Sequence, residues 1–346
     1  MDERPTDGPP HPARRVVRPL VAAGVALLAL GALLWLVGVE AVHADLARVG
    51  PWEAATLVAT GFLPVLVWGV ELRVILGGLG HPVGTVEAVA LFAASGFLNN
   101  VTPLGEVGGD PPSGLLIAGV RGIGFERGLA AIASTNAVNR VAVVGLGLAG
   151  LAVVGPAEAG PSALLAVAIW GVLVALLVAA WVYREWLVSR VGPSLAAAVA
   201  RVARWPPLEP TPTPSAVEAR IEGFVRAIER LAADPRRLLA ALLLGAVGHI
   251  AAAATLWLAL RAIGVSVPVQ DLLVVLPLAK ASGLSPTPGG AGNAALLLAG
   301  LLVAVAGVGS TDAATAALLY RAAAFWVPTA AGGVVAAALV VRWARP

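Results

Sequence analysis

Eight apolar runs, each close to the length of a bilayer crossing, recur along this 346-residue chain. A helix that spans the hydrocarbon core needs about 20 apolar residues, and its backbone polar groups must be satisfied within the helix. Only 12% of the residues are charged, roughly half the fraction of a soluble domain. The pattern therefore predicts an all-α polytopic membrane protein. The runs cover residues 20–39, 52–70, 85–98, 128–154, 162–183, 238–260, 294–308 and 313–341.

The residue inventory excludes several kinds of functional site. The chain has no cysteine, which rules out disulfides, thiolate metal sites and cysteine nucleophiles. Its histidines are too scattered along the sequence to indicate a metal cluster, and no grouped carboxylates and histidines indicate independent catalysis. We therefore expect no enzyme activity, no cofactor and no nucleic-acid partner. The four histidines are His11, His43, His81 and His249.

The distribution of arginines predicts which segments face the cytoplasm, because positive charge near helix ends is retained on that side. Arginines concentrate in the N-terminal tail 1–18, in a linker 184–236 and in the C-terminal tail 342–346. If every run crossed the bilayer, the linker would lie outside, against this rule. The conflict disappears if residues 85–121 and 268–308 each form a re-entrant hairpin that enters and leaves on one side.

The predicted fold is therefore about six full spans plus two re-entrant broken-helix hairpins in an inverted repeat. The first membrane half covers residues 19–183 and the second 237–341, and the hairpins enter from opposite faces. In the linker, Ser215 and Glu218 form a capping box that begins an amphipathic helix over 215–233. The alternative is that proline and glycine only kink helices that still span the membrane.

A repeated motif marks each hairpin: Thr-Pro-Leu-Gly at 102–105 and Thr-Pro-Gly-Gly at 287–290. Both motifs end a helix. A new helix that starts inside the membrane presents free N–H groups and a partial positive charge. Such helix ends bind anions, including phosphate. The motifs therefore predict an anion-binding pocket within the membrane.

Each half also has an arginine inside an apolar run, Arg140 and Arg321. A buried arginine costs at least about 2.5–3.5 kcal/mol and needs a partner, so we expect both to face one shared polar cavity. In the structural alternative, Arg140 pairs with Glu106 or Asp110. Arg321 would then form an internal pair or reach toward the outer interface. The predicted substrate-binding residues are Asn100, Thr102, Gly105, Glu106, Asp110, Asn139, Arg140, Lys280, Thr287, Gly289, Gly290, Asn293, Tyr320 and Arg321.

Three other polar residues in or beside apolar runs are expected to be structural. Glu71 and Arg73 follow the run over 52–70 and are expected to end that helix at the membrane interface. His249 lies inside the run over 238–260, where a satisfied polar contact is a better expectation than a proton relay.

Three stretches of the sequence resemble the transmembrane region of lysylphosphatidylglycerol synthases, a flippase-like integral membrane family. They are NNVTPLGEVGGDP (99–111), RRLLAALLLGAVGHIAAAATLWLALRAIGV (236–265), and PTPGGAGN (286–293) followed by LLYRAAAFWVP (318–328). The resemblance covers about residues 20–341 and implies a stand-alone member without the synthase domain. It implies movement of a phospholipid or polyprenyl-phosphate glycolipid between leaflets.

On this reading the partner is a membrane lipid, whose phosphate binds between the two breaks, and the protein lies in the cytoplasmic membrane with both termini inside. Two other functions fit the residues. One is a non-catalytic subunit or scaffold beside a separate lipid-modifying transferase. The other is a transporter of a small soluble anion, which would need a closed aqueous vestibule rather than a lateral opening toward lipid.

The arginine-rich linker provides a test of the predicted topology. Nine arginines in residues 184–237 disfavour translocation, so we expect the linker to be cytoplasmic. Single cysteines introduced at Ser194 and Ser215 should resist an impermeant thiol reagent in intact cells and react after the membrane is opened. Labelling in intact cells would contradict both the topology and the inverted repeat.

Overall fold

The described part of the chain is all-α, with helices joined by short turns and no strand among its residues. The N-terminal tail, the first apolar run, and most of the run over 162–183 and of the linker helix predicted over 215–233 lie outside it. Residues 103–105 of the first Thr-Pro-x-Gly motif and all of the second, 287–290, also lie outside it. The computed structural model describes residues 49–102, 106–154, 171, 175, 179, 182–183, 186, 229, 233–280 and 293–343.

Nine helices account for most of the described residues. A π-helical turn, Ala322–Trp326, joins the last two into one continuous helix. The helices are α1 Pro51–Gly78, α2 Thr85–Val101, α3 Glu106–Arg121, α4 Phe125–Val154, α5 Pro235–Ala262, α6 Val269–Ala279, α7 Asn293–Ala306, α8 Ser310–Arg321 and α9 Val327–Trp343.

Helix length divides the described elements into two classes. Four are long and apolar enough to cross a membrane: α1, α4, α5 and the combined α8–α9 helix. The apolar helices α2, α6 and α7 have 17, 11 and 14 residues. At a rise of about 1.5 Å per residue they extend about 26, 17 and 21 Å, less than the hydrocarbon thickness of about 30 Å. These short helices flank the two predicted breaks.

In both halves, helices are followed by a glycine with a positive φ angle. Gly80 follows α1 with φ 85°, and Gly264 follows α5 with φ 84°. Gly122 follows α3 with φ 64°, and Gly307 follows α7 with φ 65°. Only glycine adopts this left-handed conformation without a steric penalty. Gly122 and Gly307 are 185 residues apart, like Pro103 and Pro288, and Gly80 and Gly264 are 184 apart, so both halves place these helix-ending glycines at matching positions.

The equivalent helices α1 and α5 pack against each other in antiparallel orientation. Leu57 near the start of α1 shares a cluster with Ala259 near the end of α5. At the other end, the Arg237 guanidinium donates to the Gly77 carbonyl over 2.9 Å. The two helices therefore run in opposite directions, and the inverted repeat of the halves stays a prediction.

Further contacts join helices of the first half to helices of the second half. Helix α2 of the first half packs against α9 of the second, and α6 of the second packs against α4 of the first. Within each half, the helix after the break packs against the next long helix, α3 on α4 and α7 on α8. Each short-helix pair is therefore held by its own half and by the other half.

The two short-helix pairs begin from opposite ends of the bundle. Arg121, the last residue of α3, pairs with Glu87 in the first turn of α2 at 3.0 Å. For the second pair, Val267 before α6 and Val308 after α7 lie in one apolar cluster with the end of α5. The pair α2–α3 therefore starts and finishes at the end of the bundle where α1 ends. The pair α6–α7 starts and finishes at the end where α5 ends. Their re-entrant position in a bilayer stays a prediction.

Positive charge gathers at the end of the bundle where α1 ends. Arg73 donates to the Val83 carbonyl over 3.2 Å, and Arg121 donates to the Pro82 carbonyl over the same distance. The pKa of His81 in this loop is lowered by burial and by the charges of Arg127 and Arg121. The described basic residues of the loops after α1 and α3, together with Arg237 at the start of α5, therefore lie at one end of the bundle. Which face of the membrane this end occupies stays a prediction.

The predicted helix starts adjoin residues outside the described part of the structure. Helix α3 is described from Glu106 and helix α7 from Asn293. Their starts directly after Gly105 and Gly290 stay predictions. The depth of both breaks in the hydrocarbon layer stays a prediction.

The close contact between α1 and the π-helical turn gives a stability prediction. A Cβ atom at Gly61 would overlap the Ala323 carbonyl oxygen, whereas a Cβ at Gly77 in the same helix would meet nothing within 4 Å. We expect Gly61→Ala to cost about 1–3 kcal/mol through overpacking. Gly77→Ala should be neutral or stabilising by about 0.5–1 kcal/mol. Thermal unfolding in detergent measures both, and equal unfolding temperatures would contradict this packing.

Candidate functional site

A carboxylate on α3 joins three helices next to the first break. One oxygen of Asp110 accepts from the Asn136 amide on α4 over 2.8 Å and from the Asn99 amide on α2 over 3.4 Å. The hydroxyl of Ser113 lies 3.1 Å from the Asn99 side-chain oxygen and 2.7 Å from the Gly109 carbonyl. Gly109 permits this arrangement, because a Cβ there would overlap Asn99. We call Asp110, Asn99, Ser113 and Asn136 the first-break cluster.

Two other predicted site residues, both half-buried, lie at the end of α2. The Asn100 amide donates to the Thr329 hydroxyl on α9 over 2.6 Å, which ties the first hairpin to the second half. Thr102 ends α2, and its backbone N–H donates to the Leu98 carbonyl over 3.1 Å. Asn100 therefore has a structural contact in this conformation of the protein.

A second set of polar residues lies inside the bundle where α1, α4 and α5 meet. The Glu71 carboxylate is 0% exposed and accepts from the Asn139 amide over 2.8 Å. His249, 4% exposed, bonds through Nε2 to the backbone carbonyl of Asn139 over 3.2 Å. The ring of Trp68 contacts His249 edge-on at a centroid distance of 5.0 Å. The Lys280 Nζ lies 4.4 Å from the Trp68 ring centroid. These five residues form the interior cluster.

The position of Glu71 corrects the sequence expectation of an interfacial helix end. Helix α1 continues to Gly78, two turns beyond Glu71, and α5 covers the carboxylate. The sequence analysis ended the apolar run before the charged residue Glu71 and so missed the last part of the helix. Hydropathy alone does not show which face of a helix is buried. Arg73, two residues further on, lies on an exposed face of the same helix. His249 makes the polar contact that was expected of it.

Helix α4 connects the two clusters. Asn136 contacts Asp110, and Asn139 contacts Glu71. Residues three positions apart on a helix lie on one face, about 5–6 Å from each other. A line of polar side chains therefore runs from the start of α3, through α4, to Lys280, which directly follows α6 and precedes the predicted second break in the sequence. Sequence analysis identified Asp110, Asn139 and Lys280, and missed Glu71 and Asn136 as members of this line.

A small cavity adjoins this line. His249 and Lys280 contribute its polar lining, and leucine, alanine and proline side chains from α4, α5 and α6 supply the rest. Among the described residues, no group of His, Asp and Glu could hold a metal ion.

The two intramembrane arginines differ in environment. Arg140 follows Asn139 on an exposed part of α4, within electrostatic range of His249. Arg321 is 7% exposed, and its guanidinium lies 4.2 Å from the Phe325 ring centroid. The π-helical turn after Arg321 contacts α1 at Gly61, which is ten residues, or about 15 Å, from Glu71.

The described contacts thus place Arg321 at a different depth from the interior cluster. One cavity shared by both arginines stays a prediction. Tyr320, the neighbour of Arg321, packs against apolar clusters that α1, α5 and α8 contribute to.

Several predicted site residues cannot be located. Glu106 and Asn293 begin α3 and α7, but their side chains lie outside the described part of the structure. The remaining predicted positions fall in the two undescribed turns, and they are Gly105, Thr287, Gly289 and Gly290.

Comparison with known proteins identifies one family. Residues 20–332 match the family described as lysylphosphatidylglycerol synthase TM region. This match includes all nine described helices except the end of α9. A search of curated proteins found no match to the chain.

The first-break cluster predicts a ranked effect of substitutions at Asp110. Asp110→Ala removes the acceptor of two amides, and an unsatisfied buried group costs about 1–3 kcal/mol. Asp110→Asn keeps one acceptor oxygen and should lower the unfolding temperature less. Asp312→Ala, in the first turn of α8, is the control and should have the smallest effect. Equal unfolding temperatures for Asp110→Ala and Asp312→Ala in detergent would show that the cluster does not stabilise the bundle.

Proposed function

This chain belongs to the lysylphosphatidylglycerol synthase transmembrane-region family, and on that basis we propose that it moves a phosphate-bearing lipid between the leaflets of the cytoplasmic membrane. The substrate would be a phospholipid or a polyprenyl-phosphate glycolipid. The proposed role is transport and not catalysis. A separate lipid-modifying transferase would supply or use the lipid.

The polar line across the bundle is the observation that carries this proposal. Polar and ionisable groups inside a membrane are costly, and they commonly mark the path of a substrate. Here they extend from Asp110 beside the first break to Lys280 beside the second. A ligand bound along this line would contact both halves of the protein.

The charge and exposure of the residues near this line support an anionic lipid. Lys280 and Arg140 supply positive charge, and the helix starts at Glu106 and Asn293 supply N–H groups. Arg140 lies on a face of α4 where Val141 is also exposed. An opening on that face would admit a headgroup while the acyl chains remain in the bilayer, which favours a lipid over a small soluble anion.

The contacts between the halves support alternating access. We propose six full spans and two re-entrant hairpins, with both termini in the cytoplasm. Antiparallel α1 and α5 would form the interface about which the halves rock, while each hairpin stays attached to the opposite half through α9 or α4. This motion would expose the polar line first to one leaflet and then to the other.

Lipid movement in reconstituted vesicles tests the proposal. A fluorescent phosphatidylglycerol analogue should cross between leaflets in vesicles with the wild-type protein, as measured by chemical quenching of the outer leaflet. We expect Lys280→Ala and Arg140→Ala to slow this movement at least tenfold, with Arg140→Ala leaving the unfolding temperature unchanged. The matched control is Arg261→Ala, because this exposed arginine stacks on Trp257 at 5.3 Å, away from the polar line.

The same variants separate the alternatives. If Arg140 is a structural partner of a carboxylate, Arg140→Ala should lower the unfolding temperature by several degrees. If both folded variants move lipid at the wild-type rate, the two cations do not belong to the site. Uptake of inorganic phosphate without lipid movement would favour the soluble-anion transporter, and neither activity would favour the scaffold.

A further inference from the structure

Glu71 occupies the most enclosed position of any described acidic side chain. It is 0% exposed, and one carboxylate oxygen, Oε2, accepts from the Asn139 amide over 2.8 Å. The other oxygen, Oε1, has no hydrogen-bond partner among the described residues. An ionised carboxylate removed from water costs several kcal/mol unless a cation or enough donors compensate it. Oε1 is therefore an available position for a proton.

The other ionisable groups close to the depth of Glu71 in the bundle belong to, or directly follow, three helices. Lys280 follows α6, His249 lies on α5 and Arg140 lies on α4; Lys280 acts electrostatically on both Glu71 and His249. The other elements packed against α1 have charged residues only near their outer ends. These are Glu87 on α2 and Arg342 on α9.

The hydrogen bond of His249 shows which ring nitrogen carries the proton. A backbone carbonyl only accepts, so the contact with Asn139 requires a proton on Nε2. Its Nδ1 has no hydrogen-bond partner among the described residues, as expected of a neutral ring. Lys280 is then the cation best placed to compensate Glu71.

We propose that Glu71 is an intramembrane proton-binding site that couples lipid movement to a proton gradient, with Lys280 shared between the Glu71 carboxylate and the lipid phosphate. This inference rests on the proposed function and adds an energy source for the lipid transport. It follows from the place of Glu71, on α1 at the interface with α5, where access would alternate between the two sides.

The coupling follows from competition for one cation. While Glu71 is ionised, its carboxylate attracts Lys280, and a lipid phosphate must compete for the same ammonium group. When a proton from the aqueous phase binds Oε1, the carboxyl becomes neutral and no longer competes with the phosphate for Lys280. Asn139 still donates to Oε2. Proton binding and phosphate binding therefore favour each other, and this coupling is reciprocal.

The stoichiometry sets the size of the effect. One proton taken up with one singly charged phosphate headgroup makes the transported pair electrically neutral. A gradient of one pH unit then corresponds to a shift of up to about tenfold in the ratio of lipid between the leaflets. A membrane potential without a pH gradient should not drive this movement.

The test uses wild-type protein in phosphatidylcholine vesicles with a fluorescent phosphatidylglycerol analogue. The ratio of analogue between leaflets is measured at steady state with no gradient, with a pH gradient, and with a potassium diffusion potential alone. We expect only the pH gradient to shift the ratio, toward the side to which protons flow. Glu71→Gln should lose this shift, and Glu87→Gln, a carboxylate paired with Arg121 at the bundle end, should keep it.

Negative results in this assay distinguish proton coupling from the proposed lipid transport. Wild-type protein that moves lipid without responding to the pH gradient, or Glu71→Gln that still responds, overturns proton coupling and leaves the proposed function intact. Wild-type protein that moves no lipid under any condition contradicts the proposed function itself.

Infrared spectroscopy then decides the proton site without any transport. In vesicles of ether-linked lipids, which have no ester carbonyl, the C=O stretch of a protonated carboxyl should appear in wild-type protein, grow when ether-linked phosphatidylglycerol is added, and be absent from Glu71→Gln. Absence of the band from the wild type, or its persistence in Glu71→Gln, would overturn the proton-binding site.

Discussion

The antiparallel contact between α1 and α5 is the interaction on which the rest of the described bundle depends. Glycines on α5 permit it: a Cβ at Gly248 would overlap the indole of Trp68, and Gly245 faces Asn139 and Glu71. The Trp68 indole N–H also donates to the Gly245 carbonyl over 3.4 Å. Lipid supplies no hydrophobic force between helices, so close packing at small residues and a few hydrogen bonds have to hold them together. Larger residues on α5 would separate the halves and leave Glu71 uncovered.

The same contact explains how a carboxylate is retained inside an apolar bundle. Glu71 lies on the face of α1 that α5 and α4 cover, and the Asn139 amide supplies one hydrogen bond. The second oxygen has no such bond, and a burial cost without full compensation is typical of a functional position. The first-break cluster differs, since Asp110 accepts two amide hydrogen bonds and thereby holds three helices together.

Part of the candidate site could be predicted from local sequence. Asp110, Asn139 and Lys280 are polar residues inside or beside apolar runs, so the cost of burying them marks them individually. Glu71 was assigned to a helix end, and Trp68 and Asn136 were not predicted as site residues. Their roles depend on which face of a helix packs against which neighbouring helix. The sequence of an apolar helix with little amphipathic character does not indicate that face.

What the sequence by itself determined is the helical membrane class, the family resemblance and the glycines that end helices in both halves. The membrane class and the helix-ending glycines follow from local physics: apolar length and the conformational freedom of glycine. Only the tertiary structure decided that Glu71 is buried, that Asn136 and Asn139 connect the two clusters, and that Arg321 lies away from the interior cluster. Those facts depend on the rotation and depth of packed helices, which close contacts such as Gly248 against Trp68 set between residues far apart in the chain.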